Sequence, residues 1–194
     1  MLTTEDLDAW MASPTVRTRR ERAAFVPADE LWRAAESVRL SDTRTVGRLI
    51  RWRIPGTPAD LRFAELFDRY PFTPLESGPN HFVSGLCGRI WTLRRDYPRL
   101  EGSSEFESWS EPGTVRVLFA HWSQANGDEG ASIVSETRVE PVDRRAALRL
   151  RGLWALVGRF EPLIGSEPLA LAARRADRQR SSPTSSPASS DSPR

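Results

Sequence analysis

A change of hydrophobic period near Pro141 constrains the fold of this chain more than any other sequence feature. Residues 131–140 alternate between one small or apolar side and one mostly polar side, a period of two that is typical of a strand with one face on a core. From Asp143 to about Phe160, apolar residues instead recur every three or four positions, which predicts an amphipathic helix with Asp143 as its N-cap. The apolar stripe of this helix contains Ala147, Leu150, Leu153, Trp154, Val157 and Phe160.

A second helix is predicted further along the chain, starting at Pro168 after a cap at Ser166–Glu167. Proline is tolerated in the first turn of a helix, where its missing amide has no partner to lose. The apolar side of this helix continues to Ala176. Residues 181–194 consist almost entirely of Ser, Pro, Asp, Arg and Ala, which predicts a disordered tail.

The rest of the chain separates helical from strand-like segments. Residues 1–14 form a short helix or a loose N-terminal arm, and a first strand covers Thr15–Phe25. Helices are then predicted from Pro27, after Ser41–Asp42 and over Leu61–Phe67. Strands are predicted over Phe72–Gly78, His81–Trp91, Glu105–Trp109 and Thr114–Ser123, followed by a hairpin loop at Asn126–Gly130. This segregation indicates an α+β fold, with one domain spanning residues 15–180.

Composition excludes several classes of protein. No run of apolar residues is long enough for a membrane span. The net charge is only +2 with both signs interspersed, which argues against nucleic-acid binding. Cys87 is the one cysteine, so no internal disulfide is possible, and this fits a reducing, cytoplasmic compartment. The arginine-rich stretch Arg17–Arg22 is interpreted as an edge strand guarded by charge, with phosphate binding as the alternative.

Several motifs resemble the START-like, or polyketide cyclase (SRPBCC), superfamily, and within it a group of actinobacterial proteins. Residues 25–32, Phe-Val-Pro-Ala-Asp-Glu-Leu-Trp, are similar to the superfamily's passage from first strand to first helix. Residues 85–91, Gly-Leu-Cys-Gly-Arg-Ile-Trp, are similar to a strand of the group, with Ile90 where an aromatic residue is usual. Residues 111–113 and 135–139 match its turn and last strand, and Trp154 its terminal helix. The resemblance covers roughly residues 15–180.

The resemblance implies a helix-grip fold, in which a curved antiparallel sheet wraps around a long C-terminal helix and leaves a cavity between them. It implies no catalytic residues, because the superfamily includes carriers, receptors and cyclases. Neither a cofactor nor a metal is expected, since the two histidines and one cysteine lack the spacing of a metal site. The predicted ligand-binding residues are Cys87, Arg89, Val117, Phe119, His121, Leu150, Trp154 and Val157.

Each polar candidate has an alternative interpretation. His121 is either a proton shuttle or a hydrogen-bonded core histidine. Cys87 is either a thiolate paired with His121 or a small core residue. Arg89 either clamps a carboxylate ligand or pairs with a carboxylate such as Glu136. Trp154 either stacks on a flat ligand or fills the core.

Three functions follow from these interpretations. The first is non-enzymatic binding of a small hydrophobic molecule, lipid or polyketide-like, under the terminal helix. The second is a cyclase or aromatase that acts on a poly-keto substrate, with His121 and Arg89 as its acid–base candidates. The third is a protein-interaction module whose cavity is filled. The oligomeric state is not predicted.

Overall fold

The computed structural model describes residues 2–92, 97–157 and 161–181, without the side chains of residues 129, 156, 157, 161–165 and 181. Its strands are β1 (Val16–Ala24), β2 (Thr73–Gly78), β3 (His81–Gly88), β4 (Val115–Ala125) and β5 (Ala131–Pro141). They form one antiparallel sheet in the order β1-β5-β4-β3-β2. The helices are α1 (Asp6–Trp10), α2 (Ala28–Glu36), α3 (Val46–Arg53), α4 (Phe63–Leu66), α5 (Ser103–Ser108), α6 (Arg144–Val157) and α7 (Glu161–Ser181). The predicted α+β class is confirmed.

The register of the central strands separates the side chains onto two faces. His121 of β4 lies opposite Phe82 of β3 and Ser135 of β5, so these three side chains share a face. We call it the helical face; it consists of Phe82, Ser84, Leu86, Val115, Val117, Phe119, His121, Ile133, Ser135, Thr137 and Val139. The opposite, N-terminal face carries Val83, Cys87, Leu118, Ala120, Trp122, Val134, Glu136 and Arg138.

Four helices cover the helical face. Helices α2 and α7 pack on one end of it, where Leu31 and Trp32 of α2 meet Ile133. Helix α6 packs on the other end through Leu150, which is fully buried against Val117. Helix α4 and the residue after it lie between them. Apolar burial on this scale is the main favourable contribution to folding.

Asp143 fixes the entry into α6, as the sequence predicts. One carboxylate oxygen accepts the amide of Ala146 at 2.7 Å, and the other accepts the amide of Gly113 at 2.7 Å. These two bonds lower the pKa of Asp143, because they favour the charged carboxylate. The same side chain therefore caps the helix and ties it to the turn before β4.

The N-terminal segment is part of the core and covers the N-terminal face. Leu2, Leu7 and Met11 are buried against a cluster that includes Leu118 and Trp122. Of the two alternatives that the sequence leaves open, a short helix and a loose arm, the structure has the helix, α1, and places these residues against the sheet. The short helix α5 covers the same face through Phe106, whose ring lies 2.6 Å from where a side chain at Gly85 would begin. This close approach is the reason for glycine within β3.

Two fully buried charges attach the N-terminal segment to this face. The Nε of Arg138 donates to Glu136 at 2.7 Å, and Arg17 approaches the same carboxylate at 2.8 Å. The terminal nitrogens of Arg138 donate to the carbonyl oxygens of Met11 at 2.7 Å and Thr4 at 2.8 Å. One of them also meets Asp8 at 2.6 Å. Arg138 thus has partners from both the sheet and the N-terminal segment, as a buried charge requires.

Two local predictions are wrong. Residues 103–108 form helix α5 rather than part of a strand over Glu105–Trp109. The last helix does not begin at Pro168: α7 starts at Glu161 and Pro168 lies inside it. Phe160, assigned to the helix of Asp143, and the predicted tail after Ser181 lie outside the described residues.

Candidate functional site

The candidate site is an apolar pocket of about 490 Å³ between the β3–β4 end of the helical face and the segment that follows α3. We call it the Phe119 pocket. Its apolar walls come from both sides and comprise Leu61, Leu66, Phe72, Leu86, Ile90 and Phe119. Its volume falls within the usual range for small-molecule sites, roughly 300–1,000 Å³.

Polar groups of the Phe119 pocket come from Arg53, Thr57, Arg69, Tyr70 and Tyr97. Arg53 donates to the hydroxyl of Tyr97 and, at 2.9 Å, to the carbonyl of Thr92. Its guanidinium also lies 5.6 Å from the centre of the Tyr97 ring. Arg53 is therefore held in place by a hydrogen-bonded partner before any ligand arrives, which lowers the entropy lost when a ligand binds.

The position of α3 depends on a carboxylate from the far end of the chain. Glu167 of α7 accepts the amides of Arg44 at 2.5 Å, Thr45 at 3.0 Å and Val46 at 3.1 Å. Burial alone would raise the pKa of Glu167, but these amide bonds outweigh it and the pKa is lowered. Glu167 thus acts as the missing N-cap of α3, whose other end leads into the Phe119 pocket.

His121 lies deeper on the same face, inside a cage of aromatic rings. Its ring stacks on Phe82 at 4.7 Å between centroids, and the rings of Phe67 and Phe63 lie at 5.0 Å and 5.7 Å. Burial lowers the pKa of His121 to about 3, so the imidazole is neutral at physiological pH. Beside it is a cavity of about 20 Å³, the His121 cavity, whose walls include Trp32, Phe63 and Leu169.

The hydrogen bonding of His121 is incomplete among the described residues. Its Nε2 lies 3.1 Å from the hydroxyl of Ser135, while its Nδ1 is buried with no hydrogen-bond partner there. Most buried side-chain polar atoms in folded proteins have a partner, so an isolated one calls for an explanation.

A second concavity of about 530 Å³ opens between α1 and the β2–β3 turn. It is lined by the carboxylates of Asp6, Glu76 and Glu107, and His81 lies 3.1 Å from Glu76. Across the described part of the chain, no three metal-ligating side chains cluster closely enough to hold an ion. The Phe119 pocket is the better candidate because its walls are mostly apolar, as in known ligand sites.

No protein-family model and no curated protein matches the chain. Among solved structures, the chain is similar to the crystal structure of TTHA0849 from Thermus thermophilus, with a TM-score of 0.33 and 11% identity over 86% of this chain and 100% of that one. A similarity this distant supports no functional assignment. No helix within the described ranges combines the length and apolarity needed to cross a membrane.

The structure brings together part of the predicted ligand-binding set. Phe119 lines the Phe119 pocket and His121 lines the His121 cavity. Val117 and Leu150 are buried against each other beside the pocket, and Trp154 packs on the same cluster. These three residues belong to the hydrophobic cluster behind the pocket and are not part of its described lining.

The remaining predicted residues lie elsewhere. Cys87 is on the N-terminal face, where burial raises its pKa to about 12, so it forms no thiolate pair with His121. Arg89 is half exposed and lies 3.4 Å from Glu111, not from Glu136, which pairs with Arg138 and Arg17. The side chain of Val157 lies outside the described residues.

Sequence reasoning missed the wall formed by residues 53–72. This segment supplies Arg53, Leu61, Leu66 and Phe72 to the pocket. The breaker Pro55-Gly56-Thr57-Pro58 predicts a loop, and loops beside a rigid scaffold often carry function. That signal identified the loop without indicating which part of the sheet it would meet.

Proposed function

We propose that the protein binds a small hydrophobic molecule in the Phe119 pocket, without turning it over, as a carrier or sensor. The observation that carries this proposal is a pocket of about 490 Å³ whose walls are largely apolar. A ligand there gains by burying its apolar surface, while Arg53 and Tyr97 give it polar contacts at one side. The proposal includes the finer fold assignment, a START-like helix-grip domain in which a curved antiparallel sheet wraps around a long C-terminal helix.

The helix expected to cover the pocket carries Leu150 and Trp154 and is therefore α6, but no described side chain of α6 lines the Phe119 pocket. At the α7 end of the helical face, the space beside His121 is only about 20 Å³. The larger space lies towards Phe72 and Ile90, next to the cluster that contains Leu150 of α6. The proposed ligand therefore lies beside α6 and not beneath α7.

The geometry supports binding more than cyclase chemistry. A cyclase of the kind considered above needs an acid–base group exposed to a roomy, polar substrate cavity. His121 is only 6% exposed, and its cavity holds about one water molecule. An interaction module with a filled cavity is also less well supported, because the Phe119 pocket is open.

Titration with N-phenyl-1-naphthylamine, a neutral apolar fluorophore, tests the proposal. We expect saturable binding to the wild-type protein and severalfold weaker binding to Ile90→Trp, because the larger indole would occupy part of the pocket. Leu148→Trp is the matched control, since Leu148 is 67% exposed on α6 and does not line the pocket. Equal binding by both variants, at unchanged melting temperature, would remove the pocket as the site.

A further inference from the structure

The Nδ1 atom of His121 indicates which functional group the ligand carries. His121 is more than nine-tenths buried, and this nitrogen has no hydrogen-bond partner among the described residues. It belongs to a residue that lines the His121 cavity, whose other walls include the rings of Trp32, Phe63 and Phe82 with Ile133 and Leu169. Glu36 also lines this cavity, and its carboxylate accepts the Nε1–H of Trp32 at 3.1 Å. Nδ1 of His121 has no such partner among the described residues, so a ligand that supplies the missing hydrogen bond would gain affinity.

One aromatic ring separates this cavity from the Phe119 pocket. Phe67 lies 5.0 Å from His121 on one side, and 5.1 Å from Phe72 and 5.4 Å from Phe119 on the other, measured between ring centroids. Phe72 and Phe119 line the Phe119 pocket. Phe67 follows α4, a single helical turn that contributes Phe63 to the smaller space and Leu66 to the larger. Phe67 therefore lies between the side chains that line the smaller space and those that line the larger one.

The chemistry of a neutral imidazole selects the ligand group. The Ser135 hydroxyl can donate to Nε2 or accept from it, so Nδ1 presents either a proton or a lone pair. A hydroxyl group satisfies both arrangements, because it both donates and accepts. A carboxylate group would lose its hydration in a cage of phenyl rings without a counter-charge on His121, and the charged group that lines the cavity, Glu36, is itself a carboxylate.

We infer that the ligand is an apolar alcohol or phenol whose hydroxyl group reaches Nδ1 of His121 when Phe67 turns aside, so that the two spaces form one site. This inference rests on the proposed function and adds the ligand's chemical class. His121 is then the specificity-determining residue, and Phe67 is the partition between the apolar and polar ends of the site.

Two competitors of nearly equal shape test the inference by displacing N-phenyl-1-naphthylamine. 2-Naphthol carries the hydroxyl group, and 2-methylnaphthalene carries a methyl group in its place. We expect 2-naphthol to bind about tenfold more tightly to the wild-type protein, the typical effect of one hydrogen bond to a buried group. In His121→Leu the two dissociation constants should become nearly equal. His81→Leu removes the other histidine of the chain and should keep the tenfold preference.

A nuclear magnetic resonance titration gives a second readout that needs no variant. The chain has only two histidines, so the imidazole nitrogens can be assigned with His81 as internal reference. The Nδ1 resonance of His121 should shift with 2-naphthol but not with 2-methylnaphthalene. Phe67→Leu should strengthen binding of both competitors severalfold, because it thins the partition.

The failures of the two proposals can be told apart. If both competitors displace the fluorophore and their ratio is the same in His121→Leu, or if the His121 resonance does not move with 2-naphthol, the hydroxyl inference is wrong while the binding function stands. If the fluorophore does not bind the wild-type protein at all, both are overturned.

Discussion

On the helical face of the sheet the buried ionisable side chain is a neutral histidine among phenyl rings, whereas on the N-terminal face it is an arginine paired with a glutamate. His121 avoids the cost of burying a charge by staying unprotonated. Arg138 and Glu136 offset that cost by pairing with each other at 2.7 Å. Further partners of this pair, each within 2.8 Å, are Asp8, Arg17, Met11 and Thr4. The histidine on the helical face leaves a hydrogen bond that a ligand can supply. The ion pair on the N-terminal face already has its partners and attaches the N-terminal segment to the sheet.

The two faces of the sheet therefore have different roles. The N-terminal face has the charges of its central pair satisfied by the protein itself, so it contributes to stability. The helical face keeps one unmet hydrogen bond among its described residues and a pocket, so it contributes to binding. Three measurements test this contrast.

The largest effect is expected from the buried ion pair. Arg138→Met should lower the free energy of unfolding by about 3–5 kcal/mol, because Glu136 would stay buried with a weaker set of partners. Adding Glu136→Leu to that variant should restore part of the loss, since no uncompensated charge remains. Urea denaturation measures both. Asp8→Asn is the control and should cost no more than about 1 kcal/mol, because the Asp8 side chain is half exposed. A loss below about 1 kcal/mol in Arg138→Met would show that the pair does not hold this face.

A pH-dependent effect of intermediate size is expected on the other face. The pKa of His121 is about 3 when folded and 6.5 when unfolded, so between these values the unfolded chain binds more protons and stability falls as the pH falls. From about pH 6.5 to about pH 5 the wild-type protein should lose about 1.5 kcal/mol more than His121→Leu, at a limiting slope of about 1.4 kcal/mol per pH unit. Parallel stability curves for the two proteins would contradict burial of a neutral imidazole.

The smallest effect concerns the carboxylate that caps α3. Glu167→Gln should cost about 1 kcal/mol, the usual value of a helix cap, because it removes the charge that three backbone amides share. It should also weaken binding of N-phenyl-1-naphthylamine severalfold, since α3 leads into the pocket wall. Glu107→Gln, at an exposed position of α5, is the matched control and should change neither quantity. Unchanged binding in Glu167→Gln would show that the pocket wall next to α3 keeps its position without the capping carboxylate.

Much of the sheet could be predicted because alternation is a local signal. The period-two pattern of residues 131–140 gave the correct partition of Ile133 and Glu136 between faces. Cys87 was predicted to lie in one site with His121, and this error concerns the pairing of two strands, not the pattern within one strand. Whether Cys87 shares a face with His121 depends on register, and a shift of one residue reverses the answer.

The errors elsewhere involve partners distant in sequence. Ser166–Glu167 has the composition of a local N-cap, yet Glu167 caps α3, more than a hundred residues earlier. Nothing near Met11 indicates that its carbonyl accepts from Arg138. The pocket wall from Arg53 to Phe72 was missed for the same reason, since its function comes from meeting β3 and β4. Local patterns predicted elements, while long-range contacts determined the site.

The order of the strands has a consequence for synthesis. Of the five described strands, β1 is synthesised before the others, and its neighbour in the sheet is β5, which is synthesised after the others. Until β5 emerges, β1 is an unpaired strand that another nascent chain could join. Arg17, Arg19, Arg20 and Arg22 oppose such pairing by their charge, as they do at the sheet edge of the finished protein. A nascent chain that has not yet reached β5 lacks both the partner of β1 and Arg138, which holds the N-terminal segment. Strand β1 can therefore join the sheet only after β5 has been synthesised.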